Sequence, residues 1–145
     1  MTAPRPEPRS ADDFNAAGEP HLPGMFGLVV TFASDEVMRG RLELGPQHLA
    51  ANGFLHAATV VALADTLCGC GTLRSRPQGS TGFTTVEVKA NYLGTARDGA
   101  ITCEARRVHA GRTTEVWDAE VASESTGKAI ALFRCTQIIL WPVAS

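Results

Sequence analysis

The longest stretch lacking a periodic polar face runs from Ala57 to Leu73, and Asp65 is its one acidic residue. This pattern predicts a helix that is apolar on every side and so belongs in a protein interior. Ala and Leu favour it, Val60 and Val61 oppose it mildly, and Gly69 and Gly71 each cost about 1 kcal/mol relative to alanine, so burial has to stabilise it. A membrane span would need about 18 to 25 apolar residues, and this run is shorter and interrupted by an aspartate, glycines and threonines.

On either side of that helix the period switches to two. Val37 to Leu44 alternates, with Met38, Gly40, Leu42 and Leu44 on one side and Val37, Arg39, Arg41 and Glu43 on the other, which reads as a half-buried strand. Phe26 to Ala33 reads as the strand before it, joined through Ser34-Asp35-Glu36. Phe83 to Leu93 alternates again: Val86, Val88, Ala90 and Tyr92 face one way, and Thr85, Glu87, Lys89 and Asn91 the other. Further strands are expected at Ile101 to His109, Thr113 to Ala122 and Ala129 to Leu140, separated by turn-forming segments. A short helix is expected over Ala11 to Ala17, ended by Gly18. Two strands, one long helix and four hairpin-linked strands predict an α+β fold in which an antiparallel sheet packs against a single helix.

The 145 residues suit one domain over 11–145, and a net charge of −2 gives no hint of a nucleic-acid partner. Residues 1–10 are rich in proline and charge and read as a disordered leader, with no apolar run of the kind a signal peptide carries. Cytoplasmic localisation is therefore expected, without a membrane partner. Cys68, Cys70, Cys103 and Cys135 do not have zinc spacing, and they read as small apolar core groups, so no metal is expected.

Two features of the helix point to chemistry. No Asn, Asp, Ser or Thr immediately precedes Ala57, which leaves the first amides without an expected side-chain cap. They suit a carbonyl or an anion, or are satisfied by water or the loop. Asp65, a carboxylate in apolar surroundings, is costly unless paired or used, and a structural pairing with His56 or a threonine is the plainer alternative. Ala57 and Asp65 lie roughly 12 Å apart along the axis, too far for one reacting group to touch both. Ala57, Val61, Asp65 and Cys68 share a face by spacing. An identical helix packed antiparallel about a two-fold axis near Val61 would bring Ala57 of one subunit opposite Asp65 of the other, which predicts a homo-oligomer with sites at the interface.

Gly53, His56, Leu63-Ala64-Asp65-Thr66, Asn91-Tyr92-Leu93 and Gly111-Arg112-Thr113, with the nine-residue interval from His56 to Asp65, resemble the hotdog-fold acyl-CoA thioesterases of the phenylacetate-pathway type. The resemblance runs from about Gly24 to Leu140. It implies a hotdog fold, an antiparallel sheet wrapped around one long helix, and hydrolysis of an acyl-CoA to a free acid and coenzyme A. No separate cofactor is implied, because the coenzyme A is part of the substrate, and the expected assembly is a dimer or a dimer of dimers. Asp65 would act as general base or nucleophile, the Ala57 amide as oxyanion donor, and His56 as an orienting group, with Thr85 close by. Arg97, Arg112 and Thr113 would meet the coenzyme.

Three departures from the family pattern stand out. His-Gly-Gly has become His56-Ala57-Ala58, and the usual Asn or Gln six residues before His56 is Ala50, with Asn52 as a candidate substitute. Arg-Pro after the Asn-Tyr-Leu strand has become Gly94-Thr95. The loss at Ala50 keeps a second class open, an acyl-CoA binding or sensing module without efficient chemistry. A hotdog hydratase or dehydratase ranks lower, since its common Asp-x-x-x-x-His spacing would require a histidine where Cys70 stands.

Overall fold

The computed structural model describes residues 6–144. Helix α1 (Ala11–Gly18) starts at Ser10, whose side chain accepts the Asp13 amide while the Asp13 carboxylate takes the Ser10 amide, a reciprocal cap. A short helix α2 (Leu22–Phe26) follows and takes up Phe26, so the first strand, β1 (Leu28–Ala33), begins two residues later than alternation suggested. Pro23 in the first turn of α2 and left-handed Gly27 at its end are the local reasons. Strand β2 (Val37–Glu43) precedes the long helix α3 (Ala57–Ser75). Strands β3 (Gly82–Tyr92), β4 (Ala100–Ala110), β5 (Thr114–Ser123) and β6 (Ala129–Leu140) complete the chain.

The six strands form one antiparallel sheet in the order β1-β2-β4-β5-β6-β3, with β1 and β3 as its edges. Helix α3 packs across one face. This is the hotdog arrangement, and the core between helix and sheet includes Leu63, Ala64, Leu67 and Cys68 from α3 and Met38, Leu42, Ile101, Trp117 and Phe133 from the strands. Gly71 lets the helix approach, because a Cβ there would meet the Trp117 ring at 2.4 Å.

The helix is apolar all round, yet only one face is covered. Thr59, Val60, Leu63, Ala64, Leu67, Cys68, Gly71 and Thr72 are buried, whereas Ala57 and Ala58 are exposed and Val61, Ala62, Asp65 and Thr66 half-buried. Cys68 therefore belongs to the sheet-facing side and not with Ala57, Val61 and Asp65: the packed stripe is wide enough to take it in.

A second correction concerns Thr85. The β3/β6 register slips between Thr85 and Glu87, so Val86 bulges out and the alternation reverses across it. Thr85 pairs with buried Gln137, on the same side of the sheet as Val88, Ala90 and Tyr92, which lie opposite Cys135, Phe133 and Ala131. Strict alternation assigned it to the side of Glu87, Lys89 and Asn91.

Of residues 1–10, read from the sequence as a leader, 1–5 lie outside the described residues. Glu7 forms an ion pair with Arg76, and Arg9 offers its carbonyl to Arg74, both at the end of α3. No helix among the described residues is long and apolar enough to cross a membrane.

Candidate active site

The loop from Ala50 to His56 decides how α3 begins. Gly53 has φ +83°, which only glycine adopts without strain, and its amide donates to the Ala50 carbonyl. Asn52 accepts the Phe54 amide at 3.2 Å, so its oxygen is used within the turn. Leu49 and Leu55 then bridge antiparallel, and the chain enters the helix with His56 as N-cap.

Around this entry, four of five successive amides have partners. Leu55 N–H donates to Thr95 Oγ1 at 3.3 Å and His56 N–H to the His48 carbonyl at 3.0 Å. Ala58 N–H donates to His56 Nδ1 at 2.9 Å and Thr59 N–H to the His56 carbonyl at 3.0 Å. The Ala57 N–H has no partner among the described residues. The helix start is thus capped after all, by a histidine in place of Ser, Thr, Asn or Asp. The cap takes Ala58 and leaves Ala57 open at the positive end of the helix dipole. Because His56 Nδ1 accepts, the ring proton of the neutral form sits on Nε2.

The groups holding this entry are themselves fixed. His48 is buried, accepting the Gly45 amide on Nδ1 (2.9 Å) and facing the Phe26 carbonyl with Nε2 (2.7 Å), while its carbonyl also takes the Thr59 hydroxyl (2.8 Å). The Tyr92 hydroxyl, from the end of edge strand β3, donates to the Ala57 carbonyl at 3.0 Å. Neither His48, Tyr92 nor Thr95 carries a role in the sequence pattern. Tyr92 stands within the Asn-Tyr-Leu motif, the one signal that pointed toward it.

Asp65 lies two turns further along the open side of α3. One carboxylate oxygen is buried without a hydrogen-bond partner among the described residues, and burial alone pushes the carboxyl above its ordinary value of 3.8. Among the described residues no hydrogen bond joins it to His56 or to a threonine, so one chain by itself does not form the structural pair. An unpaired, partly desolvated carboxyl is suited to accept a proton from water or to attack a carbonyl.

The remaining sequence-predicted residues are spread widely. Thr85 donates its hydroxyl to Gln137 Oε1 at 2.7 Å. The Arg97 guanidinium lies 4.2 Å from the centre of the Phe54 ring, beside the loop leading into α3. Arg112 lies 4.1 Å above Trp141 in the β4–β5 turn, next to Thr113, whose carbonyl takes the Ile139 amide. That turn is at the opposite end of β4 from Arg97, roughly 35 Å away along the strand. One chain by itself does not bring the two arginines together.

A depression of about 890 Å³ occupies the other face of the sheet, lined by Arg39, Arg41, Glu104, Arg106, Asp118 and Arg134 among others. It contains none of His56, Ala57 or Asp65. Ion pairs such as Arg39–Glu104 (2.7 Å) and Arg41–Glu124 (2.6 Å) cross it, so its charges largely satisfy one another. Among the described residues no group of three or more His, Cys, Asp or Glu side chains could hold a metal. Cys68, Cys103 and Cys135 are buried and all four cysteines are free.

Comparison with known proteins fits this geometry. Residues 52–130, more than half of the chain, match the family model of the thioesterase superfamily. The glutamine-to-alanine mutant of thioesterase PA1618 from Pseudomonas aeruginosa superposes with a TM-score of 0.86 at 26% identity, covering 93% of this chain and 96% of that one. The 1,4-dihydroxy-2-naphthoyl-CoA hydrolase of Escherichia coli is 25% identical over 127 residues, 87% of this chain and 91% of that protein. The enzyme of the same name from Listeria monocytogenes is 32% identical over 84 residues, 58% of this chain and 67% of its own. The chain belongs to the thioesterase superfamily. It is an enzyme of the hotdog type, a thioester hydrolase.

Proposed function

We propose that this protein hydrolyses acyl-CoA thioesters, aromatic ones foremost, to the free acid and coenzyme A, and that it works as a homodimer. The carrying observation is the pairing of an unpartnered Ala57 amide at a helix start with an unpaired Asp65 carboxyl on the same open face. Water adds to the thioester carbonyl, giving its proton to Asp65, or Asp65 itself attacks and water then hydrolyses the resulting anhydride; in either case the carbon–sulfur bond breaks and the thiolate takes up a proton and leaves as coenzyme A. The Ala57 amide of the other subunit stabilises the oxyanion, and His56 Nε2–H orients the acyl group.

A second copy is required because Ala57 and Asp65 of one helix cannot reach one carbonyl. The open side of α3, with Val61 and Ala62 half-buried, and edge strand β3, with Val86, Val88 and Tyr92 each about half exposed, offer a continuous surface for it. An antiparallel partner would also bring Arg97 of one subunit to the same end as Arg112 of the other, where they would flank the coenzyme phosphates. The aromatic preference rests on the two 1,4-dihydroxy-2-naphthoyl-CoA hydrolases among the relatives.

The second reading, an acyl-CoA binding module without turnover, draws on Ala50 and on Asn52, whose oxygen is occupied by Phe54. A thiol-release screen against benzoyl-, phenylacetyl-, butyryl- and hexanoyl-CoA separates the two. The proposal expects catalytic turnover with the aryl esters ahead. Tight binding without thiol release selects the module instead.

A further inference from the structure

The partnered amides on either side of Ala57 raise the question of what fixes the one that is left free. The peptide unit bearing the Ala57 N–H is the His56–Ala57 link. Its own carbonyl takes the Thr59 amide at 3.0 Å, and the peptide before it is held by His56 N–H on the His48 carbonyl. One peptide further back, Leu55 N–H donates to Thr95 Oγ1 (3.3 Å), and in the following peptide the Ala57 carbonyl takes the Tyr92 hydroxyl at 3.0 Å. Both side chains come from one short stretch, the end of β3 and the residues just after it.

Thr95 stands where the family pattern resembled by this chain has the proline of Arg-Pro, and proline has no hydroxyl to offer. Ala57 and Ala58 stand where that pattern has two glycines. The fixed direction of an oxyanion donor matters more than its mere presence, since a donor misaimed by about 1 Å forfeits much of its effect.

We infer that Thr95 and Tyr92 are positioning residues for the hydrolysis, a two-point clamp that aims the Ala57 amide at the thioester oxygen. The inference rests on the hydrolase reading above. Thr95 holds the Phe54–Leu55 peptide on the loop side and Tyr92 the Ala57–Ala58 peptide on the helix side, and neither needs to touch the acyl group. Removing either hydroxyl loosens the chain flanking the His56–Ala57 peptide and shifts the aim of its N–H, which weakens transition-state stabilisation while leaving the binding of ground-state ester nearly unchanged.

The test uses the full chain and three variants, Thr95→Val, Thr95→Ser and Tyr92→Phe, with benzoyl-CoA as substrate. Thr95→Val and Tyr92→Phe should each lower kcat by about ten-fold with KM within about two-fold, whereas Thr95→Ser, which keeps the hydroxyl, should stay near wild type. The carbonyl stretch of a ¹³C-labelled ketone analogue of benzoyl-CoA, with CH₂ in place of sulfur, should be lowered on binding to wild type and to Thr95→Ser. That lowering should be smaller in the other two variants. A merely structural role would move melting temperature and leave this frequency alone.

Wild-type kcat and an unchanged stretch in Thr95→Val and Tyr92→Phe would overturn the clamp, as would a Thr95→Ser variant no better than Thr95→Val. A wild-type chain that releases no thiol from any ester in the panel is a different failure, because it removes the hydrolase reading together with everything built on it. Hydrogen exchange at Leu55 distinguishes the cases without turnover: the clamp requires faster exchange of that amide in Thr95→Val than in wild type, and equal rates overturn it.

Discussion

The two ends of α3 are held by opposite strategies. At the C-terminal end the sheet-facing side is sealed. Ser75 donates to buried Glu115, which also takes the Trp117 indole N–H at 3.1 Å, and the Trp117 ring lies where a side chain on Gly71 would otherwise be. Arg74 and Arg76 reach back to Asp35 and Glu7 in the last turn, where cations favour the helix dipole. At the N-terminal end the amides around the helix entry are tied down, while Ala57 and Ala58 stay exposed and one amide is left over. The comparison shows a helix anchored at one end so that the other can keep a donor free. Ala57 is exposed, so the leftover donor faces solvent and is open to a ligand oxygen.

Four substitutions and a pH series would break or sharpen this contrast. The largest effect is expected at Asp65. Asp65→Asn should lower thiol release by about 10²–10⁴-fold, as loss of a general base does. Stability should change in the opposite sense. A carboxyl whose pKa is higher in the folded chain than in the unfolded one favours folding below its ordinary value of 3.8 and becomes a cost as pH rises past that through the raised value. Asp65→Asn should therefore melt above wild type at neutral pH, with the difference closing near about pH 3. In wild type the acid limb of kcat against pH should fall above 3.8, since burial raises the group that must be ionised. A limb at or below 3.8 would contradict an active Asp65.

Next in size is Gly71→Ala, aimed at the sealed end. The new methyl carbon would meet Trp117 ring carbons at 2.4, 2.6 and 2.9 Å, and Trp117 is fully buried. Overpacking of this kind costs about 1–3 kcal/mol, which exceeds the roughly 1 kcal/mol that alanine gains over glycine in a helix. Chemical denaturation should show the loss, and kcat per folded molecule should stay close to wild type. A large fall in kcat without loss of stability would mean that the two ends are not separable in this way.

The smallest effects are expected from the arginines. Arg97→Ala and Arg112→Ala should each raise KM for benzoyl-CoA about two- to five-fold with kcat unchanged, the scale of an exposed ion pair. The difference should shrink as salt rises. Equal KM values for both variants and wild type at low salt would remove these residues from the coenzyme site.

Much of the scaffold was legible before any coordinates. The bounds of β6 match residue for residue, and β2, β4 and β5 are shifted by only one residue at some ends, because alternation over seven or more residues has few competing explanations. The helix continues through Gly69 and Gly71, since packing against Trp117 outweighs their propensity, and ends at Ser75, two residues beyond the expected Leu73. The α2 turn was missed because five residues with a proline carry too little periodicity to be seen. The start of the helix at Ala57 was legible to the residue, as was the presence of Asp65 within it. The details of the site were not: Thr85 changed sides through a bulge, Cys68 turned inward, and a histidine outside the usual capping set took the Ala58 amide.

What the sequence determined by itself is the period of each segment, and with it one helix, an antiparallel sheet, and a carboxylate stranded among apolar residues. These follow from local rules in which each side chain's direction depends on its near neighbours. What surrounds the free amide at the helix start was decided only by tertiary structure. The Thr95, Tyr92 and His48 contacts join residues 11 to 40 positions apart, and no local pattern records that such distant groups meet.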